Sequence, residues 1–529
     1  MTNCQTLLTT LSMAMAAHVV AANTVTKYEA ENATPYKCEY TTGTKYSAGK
    51  AIKMTDAAAS LTLNINVDLR QKYDIYIMAE GIGGEKVVNC SVNGASTSFR
   101  TNTLGEVNAG TFILTKGTNT IRISPNWTWF NIDYIRIEAN NSDIAFDISR
   151  TPVTQGCTSS AQELYAFLYD NFGRRTISGI MTGSMDKTDG KNIKGQEDVA
   201  AVYKASGNYP ALVGFDFSNA TGSEIDKGNT WYKGYMDKEI SLAKDLWRKG
   251  GIPNFTWHWH DPSRATFEFY SDKAKMKISS AMNSNGTWNT SSTLYRQILK
   301  DIDVVANYFL DLQREGIACI FRPLHEASGG WFWWGADGSE NCKKLYQLIY
   351  HEMVNVKGVK NVIWDWNADY NIGAAWCPGE AYYDIISTDI YNDAYDYSSN
   401  YAAFDKLKSL SAGKKIITLA ENGPIPDIDH QAEDEAMWSW WMPWYQSWDG
   451  GFVDKTSTSE WKKCMSDSRV ITLDDMPGWK TSSTAVITPQ STAAPADRIY
   501  SVDGMILPAA HPAHGNIQII NSRKIITQN

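Results

Sequence analysis

FRPLHEASGGWFWWG, residues 321–335, follows directly on the apolar run Ile317, Ala318, Cys319, Ile320 and Phe321. A short run with no polar alternation reads as a strand buried on both faces, the kind found in a parallel sheet covered by helices. Arg322, His325 and Glu326 then fall at the C-terminal end of that strand, where barrels of alternating strands and helices carry their functional groups. The same pattern recurs in KIITLAENGP, residues 415–424, where Glu421 ends an apolar run before the turn-forming Asn422, Gly423 and Pro424. Counted from apolar runs alone, strand candidates lie at residues 176–183, 211–217, 252–259, 317–324, 362–367, 384–391, 416–421 and 437–442. Eight strands alternating with helical patterns predict a (β/α)8 TIM barrel, with Glu326 and Glu421 on its fourth and seventh strands. Among the intervening helices, Leu294, Ile298, Ile302, Val305, Phe309 and Leu312 form an apolar stripe that serves packing.

Two carboxyl groups on one rim are what glycosidic bond cleavage requires, one as acid and one as nucleophile or base. Glu326, walled by Trp331, Phe332, Trp333 and Trp334, is expected to be desolvated and so to hold its proton toward neutral pH. The competing reading pairs Glu326 with Arg322 at the barrel rim and places the tryptophans in the core. Two glycines followed by four aromatics suit a wall against sugar rings better than a core helix.

The combination RPLHE, a glycine pair and WFWWG resembles glycoside hydrolase family 26, chiefly β-mannanases. The resemblance implies Glu326 as acid/base and Glu421 as nucleophile of a retaining endo-β-1,4-mannanase, with His325 and Trp331 beside the sugar at the cleavage point. It further implies His258 as a sugar contact, with His260 as the alternative, Tyr391 as a hydrogen-bond donor to the nucleophile, and Trp441 as a stacking residue, with Trp440 as its rival. Trp364, Asp365 and Trp366 line either the cleft or the barrel wall. Ala327 and Ser328 depart from the family's usual residues, which bears on substrate contacts. The same mechanism on mixed-linkage β-glucan or xylan is the alternative, and a non-catalytic polysaccharide-binding protein is a further one. The chemistry needs no cofactor.

At 529 residues the chain is long enough for two or three units. A net charge of −9 without long basic runs argues against a nucleic-acid partner and leaves a neutral polymer such as β-mannan unrepelled. Residues 1–22 read as a secretory signal peptide cleaved before Asn23, too short and polar for a membrane span, so the protein is expected to be secreted or held at the cell surface. Its removal takes Cys4 and leaves an odd number of cysteines, so at least one thiol is free, with Cys319 the natural candidate. A monomer is expected.

Residues 23–140 carry short alternating runs separated by Gly, Asn and Asp, the pattern of an all-β sandwich. The opening YEAENA and the closing WTWFNIDYIRIE resemble carbohydrate-binding module family 35. That resemblance implies a structural calcium held by Glu29, Glu31 and Asp133, with ordinary surface acids as the alternative; Glu-Ala-Glu in a strand would place both glutamates on one face. Trp127 and Trp129 would also share a face, either as a sugar platform or with one of them in the core. Residues 141–158 read as a linker to the catalytic domain at 159–480, and residues 481–496 as a flexible second linker. Residues 497–529 resemble a C-terminal sorting tail; a small β appendage is the competing reading.

Overall fold

The computed structural model describes residues 25–369, 373–447, 451–476, 478 and 480, together with four short strands beyond residue 498. The expected signal segment 1–22 and linker 481–496 lie outside the described residues.

The chain forms two compact units, the first ending at Trp479. Its larger part is a parallel barrel of eight strands: β1 (Thr176–Met181), β2 (Leu212–Asp216), β3 (Ile252–Thr256), β4 (Cys319–Arg322), β5 (Val362–Asn367), β6 (Ile385–Ile390), β7 (Ile416–Asn422) and β8 (Trp440–Trp441). Neighbours pair in chain order from β1 to β7, and β8 pairs with β1 through Ile177 opposite Trp440. β8 is short for a local reason. Thr418 Oγ1 accepts the Trp440 N–H at 3.2 Å and donates to the Trp440 carbonyl at 3.0 Å, so a side chain of β7 replaces ladder bonds there. The barrel closes through Ser439 N–H to Ile417 O at 3.0 Å and Trp444 N–H to Asn422 O at 3.1 Å.

The barrel strands are buried almost throughout, which is why their sequences are continuous apolar runs rather than alternations. The stripe read from sequence lies on the helix Thr293–Arg314, capped by Ser292, whose hydroxyl accepts the Tyr295 N–H; Ile298, Ile302, Val305, Phe309 and Leu312 are buried. β4 ends earlier than the apolar pattern suggested. Leu324 and Glu326 have φ of 54° and 52°, left-handed backbone that cannot continue a strand.

The N-terminal part is a sandwich of two antiparallel sheets. Ser60–Val67 shows the expected alternation, with Leu61, Leu63, Ile65 and Val67 facing the core. Its first strand, Val25–Glu29, pairs with its last, Phe130–Ala139, with Glu29 opposite Tyr134. Residues 141–158 contain no helix or strand but are tied to the barrel: Asp147 N–H bonds Gly413 O at 2.9 Å and Val153 N–H bonds Asp384 Oδ1 at 2.7 Å. Ala402, on the helix Tyr401–Leu410, is buried within the sandwich core itself.

All seven cysteines of the described residues are free, Cys319 among them, buried in β4. No helix of the described residues is long and apolar enough to cross a membrane. The second unit, described by itself, is an antiparallel sheet in the order Ile506–Leu507, Ile499–Tyr500, Ile517–Ile520, Arg523–Ile526.

Candidate active site

The C-terminal ends of the barrel strands surround a cavity of about 680 Å³. Glu326 and Glu421, far apart in sequence, both line it. One carboxylate oxygen from each of Glu326, Asp389 and Glu421 lies within 4.8 Å of the other two. In retaining glycosidases, where one carboxylate attacks directly, the two carboxyl groups lie about 5–5.5 Å apart.

The local fold sets this geometry. The register between β6 and β7 shifts by one residue after Thr388, so that Asp389 faces Glu421 and not Ala420; a bulge of this kind re-aims a side chain at a strand end. Arg322, fully buried at the end of β4, fills the space between, donating to Asp389 at 2.9 Å and to Glu421. The Tyr391 hydroxyl donates to the second Glu421 oxygen at 2.6 Å. Each Glu421 oxygen thus accepts from its own donor. Arg322 thus serves Glu421 and Asp389, not Glu326 as the competing reading had it. Asp389 itself is pushed well above its ordinary value by burial and by the charges of Glu421 and Glu326, against the pull of Arg322.

Glu326 is held differently. Its own N–H donates to Asn367 Oδ1 at 2.9 Å, and Asn367 Nδ2 reaches Asp389 at 3.0 Å, which ties the left-handed turn after β4 to β5 and β6. Trp331 Nε1 donates to Glu326 Oε2 at 2.9 Å. Burial first, and then the charge of Glu421, push Glu326 up to about 7, against the lowering effects of Trp331 and Arg322. A carboxyl group at that value is protonated in weakly acidic solution and can also work as a base once ionised.

The histidines follow from β2 to β4. His258 lines the cavity, its Nδ1 2.6 Å from Asp216 Oδ2, and its Nε2 lies 3.1 Å from His325 Nε2. His260 instead bonds the Ser218 carbonyl at 2.8 Å and stacks on Phe267, with ring centroids 3.7 Å apart, as a satisfied loop residue. Of the two candidates, His258 is the one in the cavity.

Two expectations are corrected. Trp333 and Trp334 are not cleft wall: both are fully buried, their indole N–H groups donating to Trp259 O and His325 O, because the chain turns into a short helix, Trp333–Ala336, after Phe332. Trp331, 44% exposed, stays at the surface beside Glu326, and Phe332 lines the cavity. Trp441 is 0% exposed and packs edge-on against Trp461 at 5.6 Å, so it cannot stack on a ligand; Trp440 is equally buried, and Trp444, three residues beyond Trp441, lines the cavity. Trp364 and Trp366 belong to the barrel wall. Asp216 and Asn367 were not singled out from sequence, and Trp444 stood out only as one of four tryptophans crowding the segment around the eighth strand. Asp216 carried one available signal, as the single acid ending the second apolar run.

In the sandwich, Trp127 and Trp129 are 49% and 50% exposed, so neither fills the core. They sit in the loop before the last strand, and Trp129 has φ of 73°, so the shared-face argument from strand alternation does not apply. Glu29 ends the first strand and Glu31 lies in the 3-10 turn Ala30–Asn32, which again replaces the expected strand alternation. Ser47 bridges Glu29 and Asp133, its hydroxyl 2.5 Å from Glu29 Oε2 and its N–H 3.0 Å from Asp133 Oδ1. Asp133 is buried, which pushes its pKa up. Glu31 Oε2 is buried with no hydrogen-bond partner. A buried carboxylate oxygen without a donor is one that a hard cation would satisfy.

The family profile described as glycosyl hydrolase family 26 matches residues 153–475, and that of carbohydrate binding module family 35 matches residues 26–140. The chain is 30% identical over 479 residues to a mannan endo-1,4-beta-mannosidase of Thermothelomyces thermophilus, covering 87% of this chain and 92% of that one. Among solved structures it is similar to the GH26-CBM35 beta-(1,4)-mannanase of Podospora anserina, at 26% identity and a TM-score of 0.57, covering 86% and 99% of the two chains. It is also similar to the beta-mannanase of a symbiotic protist of the termite Reticulitermes speratus, solved with a gluco-manno-oligosaccharide, at 36% identity and a TM-score of 0.56, covering 64% and 100%.

Proposed function

Because the chain belongs to glycosyl hydrolase family 26, we propose that it is a retaining endo-β-1,4-mannanase acting on mannan, glucomannan or galactomannan. The observation that carries this reading is the pair Glu326 and Glu421, with carboxylate oxygens within 4.8 Å, one member of which is pushed up to about 7. Glu421 attacks the anomeric carbon of a mannosyl unit. Glu326 gives its proton to the departing glycosidic oxygen, the C–O bond breaks, and a glycosyl ester forms on Glu421. Glu326, now ionised, takes a proton from water, whose oxygen displaces Glu421 with net retention. Tyr391 and Arg322 hold the nucleophile in place, and Trp331 holds the acid. The half-exposed ring of Trp331 beside Glu326 and the largely buried ring of Trp444 in the cavity wall offer apolar faces to the sugar. The choice of mannan rests on the activity named for the similar proteins.

The test is release of reducing ends from galactomannan, glucomannan, barley glucan and xylan by the parent chain and by Glu421→Ala. Mannan-type substrates should be cleaved and the variant should lose roughly a thousandfold or more of kcat while staying folded. Near-normal turnover by the variant would sink the assignment, and preference for barley glucan would sink the substrate.

The sandwich supplies polysaccharide binding, through Trp127 or Trp129. Glu29, Glu31 and Asp133 would hold a calcium ion, whose contribution is to cross-link the first and last strands of the sandwich. Chelation should then lower the melting temperature of the protein, and added calcium should restore it; an unchanged melt would remove the ion from this reading. Export through residues 1–22 is tested by N-terminal sequencing of protein recovered from the medium, expected to begin at Asn23.

A further inference from the structure

A chain of polar groups runs from β2 into the cavity, and the two glutamates leave it unexplained. Both oxygens of Asp216 serve His258: Oδ1 accepts its backbone N–H at 3.0 Å and Oδ2 lies 2.6 Å from its Nδ1. His258 Nε2 lies 3.1 Å from His325 Nε2. His325 Nδ1 lies 3.3 Å from Thr256 Oγ1, itself 3.3 Å from the Arg322 carbonyl. All four ring nitrogens therefore have protein partners in this structure. Phe332 packs against both rings, and Trp444 against His258, so the pair has little room to turn away.

Two imidazole nitrogens at hydrogen-bond distance share one proton. With Asp216 keeping a hydrogen on Nδ1 of His258, two arrangements remain. Either His258 also carries the shared proton and is an imidazolium, or His325 carries it and both rings are neutral. In the first, His325 holds its hydrogen on Nδ1 and gives it to Thr256, whose hydroxyl is free to donate to the Arg322 carbonyl. In the second, the Thr256 hydroxyl is consumed by His325 and leaves that carbonyl. Only the first keeps the Thr256 hydroxyl on the Arg322 carbonyl, as the structure has it.

We propose that Asp216 is a positioning residue for glycosidic cleavage: it makes His258 the donor and His325 the acceptor of their shared proton, so that the wall beside Glu326 carries one fixed imidazolium. This rests on the hydrolase reading above. The groups around His258 agree with it. Burial opposes a charge on His258, but Asp216, with Glu421 and Glu326 beyond, outweighs burial and raises it. His325 is lowered well below its ordinary value by burial, His258 and Arg322. Glu239 faces Asp216 from the helix Thr230–Arg248 and is itself raised, so it adds no competing anion, and His260 is held down to about 4 by burial.

Asp216→Asn keeps the shape and removes the charge. It should lower kcat roughly tenfold to a hundredfold with KM little changed, and move the basic limb of the kcat/KM profile to lower pH, because His258 then loses its proton sooner. In a spectrum of protein labelled with 15N histidine, His258 should change from doubly protonated in the parent at pH 6 to neutral in the variant, and Asp216→Glu should recover part of both properties. A variant with parental kcat and pH profile overturns the proposal, as does a fall in kcat with His258 still doubly protonated. If Asp216→Asn does not fold, the parent spectrum decides: two neutral rings at pH 6 overturn the proposal, and one imidazolium beside one neutral ring supports it. A parent inactive on every β-linked polymer would sink the hydrolase reading instead, a failure the nitrogen spectrum does not share.

Discussion

Glu326 and Glu421 are the same residue type on the same rim, and their roles differ only through their neighbours. Glu421 has a guanidinium and a phenol addressing its oxygens, whereas Glu326 is buried with one indole donor and feels the charge of Glu421. Burial pushes Glu326 up to about 7, so its acid form is present below that pH and lost above it. The rate should therefore fall as pH rises through about 7. The Trp331 bond favours the ionised form of Glu326, so Trp331→Phe should move this basic limb to higher pH while weakening substrate binding. A limb that stays in place would show that the indole does not tune the acid. The identity of both glutamates was legible in the sequence because each ends an apolar run. The raised acid at Glu326 was legible too, from the aromatic run after it; the groups that hold Glu421 were not, because they come from β4, β6 and the loop after β6, remote in sequence.

At the scale of elements, the acid depends on a turn that the apolar pattern did not foretell. After β4 the backbone is left-handed at Leu324 and again at Glu326, then makes the 3-10 turn Ala327–Gly329 before the helix Trp333–Ala336. The two pieces touch at Gly335, where a Cβ would meet the Ala327 carbonyl oxygen at 1.8 Å. Gly335→Ala should therefore push the helix off the turn, costing about 1–3 kcal/mol of stability and lowering kcat through displacement of Glu326 and Trp331. Denaturant unfolding and kinetics on the same preparation check both. A variant as stable and active as the parent would show that the contact is slack. The same folding explains why Trp333 and Trp334, read as cleft wall, are core: the helix turns them inward, and Trp331, before it, stays exposed.

Across the molecule, the sandwich is seated on the barrel and is not tethered loosely. Ala402 of a barrel helix is buried in the sandwich core, and Arg70 donates to the Glu433 carbonyl at 2.9 Å while pairing with Asp434 at 3.1 Å. The surface ion pair adds little by itself; the apolar contact is what couples the two parts. Sandwich and barrel should therefore melt together in one calorimetric transition. Ala402→Asp, which places an unpaired charge in that contact, should separate the melt into two transitions. Two transitions already in the parent would refute the coupling.

By itself the sequence determined the eight-strand barrel, the sandwich before it and the two acids, because burial on both faces and strand alternation are written directly in residue order. Tertiary structure decided what surrounds each acid, which histidine reaches the cavity, and which tryptophans stay exposed. Those outcomes depend on left-handed turns, a one-residue register shift and contacts between distant loops, none of which leaves a periodic trace in the chain.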